Sequence, residues 1–78
     1  MGVINLGRAD DNDVVLTDIG VSRRHARILV QSDGVFVEDL SSGNGTYFRG
    51  MRVERQAIHT GDEVLIDPFT LGFEIMEG

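Results

Sequence analysis

An all-β fold, a sandwich or barrel of short strands, is predicted by two features of the sequence. Apolar residues gather in short runs rich in Val, Ile, Leu and Phe, with residues that tolerate turn geometry between them. No stretch keeps a 3.6-residue apolar period for ten residues, so no amphipathic helix competes with the strands.

Residues 3–6 and 13–16 are the first two expected strands, each carrying a β-branched pair, Val3-Ile4 and Val14-Val15. Residues 25–31 alternate: Ala26, Ile28 and Val30 share one side, His25, Arg27 and Gln31 the other. Ser32-Asp33-Gly34 turns the chain into a strand at 35–39, and Ser42-Gly43-Asn44-Gly45 turns it again into 46–48 and 51–54. After Thr60-Gly61-Asp62 come strands at 63–66 and 69–76, the second with Phe69, Leu71, Phe73 and Ile75 on one face.

The chain has 78 residues, about half of a common domain length, so residues 1–78 are expected to form one domain. Without cysteine there is neither a disulfide scaffold nor a thiol nucleophile. No apolar run nears the ~18 residues of a membrane span, and Met1-Gly2-Val3-Ile4-Asn5 does not resemble a signal peptide. A cytoplasmic location is the expectation. Net charge is −6, which argues against nucleic acid as the partner. The charge is unevenly spread, because residues 22–55 hold six bases against four acids. Every base in the chain is arginine, whose planar fork suits phosphate or carboxylate, although genomic composition accounts for such a bias equally well.

Enzyme and metal motifs fail in turn. Gly43-Asn44-Gly45 opens like a dinucleotide loop, but Phe48 stands at the third glycine. Asp10-Asp11-Asn12-Asp13 lacks the glycine of a calcium loop. Ser22 and His25 have no orienting acid or nucleophile elbow, and His25 and His59 have no third metal ligand. Neighbours Asp62 and Glu63 point to opposite strand faces, so they are no acid–base pair. Neither catalysis nor a cofactor nor a metal is expected.

What remains is a set of polar loops between strands: Gly7-Arg8 with Asn12, Ser22-Arg23-Arg24-His25, and Ser42-Gly43-Asn44-Gly45-Thr46. In order and spacing these resemble the forkhead-associated (FHA) domain, a phosphothreonine-binding β-sandwich. Its pattern is a Gly-Arg, a Ser-x-x-His and an Asn-Gly on successive inter-strand loops. The flanks agree: Asn12-Asp13-Val14-Val15-Leu16, Asp39-Leu40-Ser41-Ser42 and Gly61-Asp62-Glu63-Val64.

The resemblance implies a two-sheet antiparallel sandwich whose partners are phosphothreonine proteins in Ser/Thr kinase signalling. It implies phosphopeptide contacts from Arg8, Ser22, Arg23, Gly43 and Asn44. Chemistry agrees, because a near-dianion with three acceptor oxygens needs converging donors. Arg8 and Arg23 carry guanidinium forks, Ser22 a hydroxyl, Gly43 a backbone N–H, and Asn44 a group suited to clamping peptide backbone. Gly7, His25, Ser42, Gly45 and Thr46 are expected to support the loops by close packing, bracing or turn geometry. Arg24, Arg27, Arg52 and Arg55 read most simply as solvated surface charge. For a residue downstream of the phosphothreonine, Arg23, Arg24 and Arg49 point to an acidic or aliphatic choice.

Two departures stand out. Arg49 precedes Gly50 where the family often has asparagine. The family also has a strand ahead of the Gly-Arg strand, lying beside the C-terminal strand, and only six residues precede Gly7 here. The domain is therefore expected to lack that strand, and self-association through the open edge is expected, with direct closure of the two flanking strands as the alternative. A rival role is phosphate-independent assembly.

Overall fold

A computed structural model describes residues 1–76. Nine strands make two sheets: β1 (Gly2–Gly7), β2 (Val14–Val15), β3 (Ala26–Gln31), β4 (Gly34–Asp39), β5 (Tyr47–Phe48), β6 (Met51–Arg52), β7 (Arg55–Ile58), β8 (Glu63–Ile66) and β9 (Phe69–Gly72). One sheet runs β2-β1-β3-β4-β7 and the other β6-β5-β8-β9. Pairing is antiparallel except between β1 and β2, where Leu6 and Gly7 lie parallel to Val14 and Val15.

The core lies between the sheets. Leu6, Ile28, Val37 and Ile58 of the first sheet meet Phe48, Val64 and Ile66 of the second, and Leu16 and Val21 enter from loops. Phe69, Leu71, Phe73 and Ile75 pack half-buried against them, as their alternation predicts. Along β3 the alternation is imperfect: Val30 is exposed, whereas Leu29, on the opposite face, is buried.

Several strands are shorter than expected. The apolar run 69–76 yields only four ladder residues, β9, and Phe73 continues through exchange with Asp62 and Gly61. β7 has no counterpart in the sequence reading, because Arg55-Gln56-Ala57-Ile58 neither alternates nor carries more than one β-branched residue. Its ladder with β4 supplies the order that local propensity does not.

Turn chemistry performs as expected. Ser32-Asp33 closes β3–β4, and Arg49-Gly50 closes β5–β6 with both φ angles positive, 51° and 80°, the primed-turn geometry that matches strand twist. Direct closure of the flanking strands does not occur. β1 and β9 belong to different sheets, and among the described residues β9 pairs only with β8. A closed β1–β9 pair would merge the two layers that bury the core.

Candidate functional site

Loops from both sheets converge at one end of the sandwich, and backbone hydrogen bonds zip the first two together. Arg8 N–H donates to Ser22 O at 3.0 Å, and Ala9 N–H to Arg23 O at 3.3 Å. Buried Asn12 adds a double staple, donating from Nδ2 to Ala9 O (2.8 Å) and Arg23 O (2.9 Å). Gly7 sits where the loops touch. A Cβ there would stand 2.2 Å from the Arg23 carbonyl oxygen, so only glycine allows the approach.

His25, 1% exposed, joins the second loop to the third. Its Nδ1 lies 3.1 Å from the Ser22 amide, which can only donate, so Nδ1 accepts and the ring proton sits on Nε2. From there it donates to Gly45 O at 2.9 Å. These two bonds tie the second loop to the third.

The third loop closes on Asp39, the last residue of β4. Its carboxylate accepts from the Ser42 amide (3.0 Å), the Ser42 hydroxyl (2.6 Å) and the Thr46 hydroxyl (2.7 Å). Ser42 Oγ in turn accepts the Gly45 amide at 3.0 Å. Burial pushes the Asp39 carboxyl up, but these hydrogen bonds outweigh it and hold the group below its ordinary value. Sequence reasoning missed Asp39 and Asn12 as supports. The available signal was the Asp39-x-x-Ser42 spacing, since a carboxylate readily reaches back-bone amides a few residues on.

On this frame the groups expected to meet a phosphopeptide come together. Val21 O takes the Arg8 Nε–H at 3.0 Å, which leaves both Nη groups without partner among the described residues. Gly43 N–H donates to Ser22 Oγ at 3.0 Å, so the hydroxyl proton is free to point outward. The same bond corrects one expectation, because the Gly43 amide serves Ser22 and is not offered to a ligand. Asn44, exposed, donates from Nδ2 to Gly20 O at 2.9 Å and keeps its Oδ1 free. Arg23 is exposed and has no acidic partner among the described residues.

Other arginines are committed elsewhere. Arg24 is paired with Asp11 at 2.6 Å, and this hydrogen bond lowers the Asp11 carboxyl. Arg49 lies over the Phe48 ring and 3.6 Å from Asp62. Arg27 pairs with Glu38 at the surface. Arg52, read as solvated charge, instead reaches the third loop and donates to Ser42 O at 3.0 Å.

A family model described as the FHA domain matches residues 4–67. The chain belongs to the FHA-domain family. A solved structure of Mycobacterium tuberculosis EmbR in complex with a low-affinity phosphopeptide superposes with a TM-score of 0.90 at 32% identity, covering 97% of this chain and 20% of that one. A structure from work on phosphothreonine-dependent FHA domain interactions gives 0.77 at 34% identity, covering 82% of this chain and 67% of that one. Among curated proteins, the glycogen accumulation regulator GarA of Mycobacterium tuberculosis is 39% identical over 71 residues, 91% of this chain and 44% of GarA. The FHA chain spans less than half the length of the curated relatives it matches. Its all-β, two-sheet architecture is the one these neighbours share.

Proposed function

We propose that this FHA domain is a non-catalytic module that binds phosphothreonine segments made by a Ser/Thr kinase in the cytoplasm. The observation that carries the reading is the outward set of unspent donors: two Arg8 Nη groups, the Ser22 hydroxyl proton and the Arg23 guanidinium, on two zipped loops. Their support is built in advance, so binding orders little of the protein and loses little entropy. Asn44 Oδ1 stands ready to accept a peptide N–H beside the phosphothreonine. The relatives solved with a phosphopeptide, and in phosphothreonine-dependent interactions, support the same reading.

Fluorescence anisotropy with a phosphothreonine peptide and its unphosphorylated twin is the test. Arg8→Ala is expected to cost about 2–5 kcal/mol, because it removes a charge-assisted partner of the phosphate. Ser22→Ala should cost less, since a hydroxyl carries no charge. Equal affinity for the two peptides overturns the reading. Replacing phosphothreonine by phosphoserine removes one methyl, worth about 0.8 kcal/mol if that methyl is buried.

One observation favours a second role in assembly. Ile4, Leu6, Val14, Ile28, Leu71 and Phe73 line an apolar groove of about 180 Å³ between the edges of β1 and β9. Among the described residues, no strand pairs with the outer edge of β1 at residues 2–4 or of β9. An edge strand of a second copy would satisfy the backbone groups there and cover the groove. Light scattering across a concentration series should then show a dimer; a monomer at every concentration rejects it.

A further inference from the structure

We propose that Arg52 is a positioning residue of the phosphopeptide site, holding the loop 42–45 in the shape that presents Asn44. The proposal rests on the phosphopeptide reading for its ligand, and on the following geometry for its mechanism. Arg52 ends β6, and its pairing with Tyr47 plus the bond from Val53 N–H to Thr46 O (2.9 Å) bring it alongside the loop that enters β5. From there the side chain folds back. One Nη donates to Ser42 O at 3.0 Å, at the start of the loop. At the loop's end, the guanidinium lies against Gly45, where a Cβ would stand 2.8 Å from Nε and 3.1 Å from both Cδ and Cζ. Between these two fixed points lie only Gly43 and Asn44, both exposed.

Asp39 and His25 hold this loop from inside the sandwich, and Arg52 holds it from outside. The three contacts differ in kind. The inner ones fix Ser42, Thr46 and the Gly45 carbonyl, whereas Arg52 fixes the Ser42 carbonyl and the bare face of Gly45. No carboxylate among the described residues lies within ion-pair distance of Arg52, so its position is not set by charge pairing. The hollow beside it is of mixed charge, lined by Glu38, Asp39 and Glu54 together with Arg55, so no cluster of free cations gathers around Arg52 to take a phosphate directly. Arg52 acts on the ligand through Asn44, the exposed side chain carried between its two holds. Gly45 has two reasons to be glycine, its φ of +92° and the guanidinium packed against it.

A double-mutant cycle tests this, using Arg52→Ala, Asn44→Ala and the pair, with anisotropy against a phosphothreonine peptide. Arg52→Ala is expected to weaken binding about tenfold, the loss of one charged hydrogen bond. In the Asn44→Ala background the same change should have little further effect. Arg52→Lys, which keeps a donor for Ser42 O but not the flat fork, should restore part of the affinity. In the ligand-free protein, amide signals of Gly43, Asn44 and Gly45 should shift in Arg52→Ala while those of β3 and β4 stay put. Full additivity with Asn44→Ala, which marks a direct ligand contact, overturns the proposal, as do unchanged loop amides. Should the alanine variant fail to fold, Arg52→Gln carries the same cycle. If the wild type fails to discriminate the phosphorylated peptide, the phosphopeptide reading falls, and the loop amides still decide the bracing.

Discussion

At Gly7 and Gly45 a side chain would stand in the way of the packing between loops. At Gly7 the obstacle to a methyl group is a backbone carbonyl, Arg23 O, which cannot move without unzipping the first two loops. Gly7→Ala is therefore expected to cost about 2–4 kcal/mol in chemical denaturation, and to weaken peptide binding because Arg8 and Ser22 separate. At Gly45 the obstacle is partly the Arg52 side chain, which can swing away. Gly45→Ala should consequently be less damaging in an Arg52→Ala background than alone, leaving mainly the strain of about 1–2 kcal/mol for a left-handed non-glycine residue. Thermal melts of the two single variants, the pair and the wild type check this. The order Gly7-Arg8, Ser22-x-x-His25 and Asn44-Gly45 was legible in the sequence, because each residue type does something no other does at that place. Asn12 and Arg52 were not legible, because Asn and Arg are common on any polar loop and their contacts with Arg23 and Ser42 reach across eleven and ten positions of chain, whereas Asp39 had a local signal in its spacing to Ser42.

The strands that frame the site are uneven in how they announce themselves. β3 carries its own period-two signal, broken at Leu29 and Val30, and a turn-forming link to β4, whose run at 35–39 lies where it was expected. β7 does not, since it is ordered by its ladder with β4 and by one buried residue, Ile58 at 2% exposure. Ile58→Ala is expected to cost about 2–5 kcal/mol by urea denaturation, a loss out of scale with the weak strand signal around it. At the other end of β4, Asp39 connects strand to loop, and its titration gives that junction a pH dependence. Its folded-state carboxyl is held below the ordinary value of 3.8. A depressed group stabilises the fold above its unfolded value, and that contribution is lost as pH falls through the lower folded value. Asp39→Asn should then reduce stability near neutrality by about 1–3 kcal/mol, and show a shallower further loss than the wild type as pH falls below the ordinary carboxylate value. Parallel acid slopes for the two proteins would contradict the assignment.

Over the whole molecule, a net charge of −6 stands against a proposed ligand that is itself close to a dianion. Distance decides which charge the ligand feels. The principal extents are 36 × 28 × 18 Å, whereas screening at 0.1 M salt has a length of about 10 Å, so carboxylates on the far side are largely silent. Nearer the site, Arg24 cancels Asp11, while Arg8 and Arg23 have no acidic partner among the described residues. Contact with these two cations survives screening better than repulsion from remote acids, but it is still partly exposed to solvent. Affinity for a phosphothreonine peptide is expected to fall modestly with salt, by about threefold between about 0.05 and 0.5 M. Anisotropy titrations across that range give the sign directly. Binding that strengthens as salt rises would mean that the acidic surface, and not the arginine pair, governs the encounter.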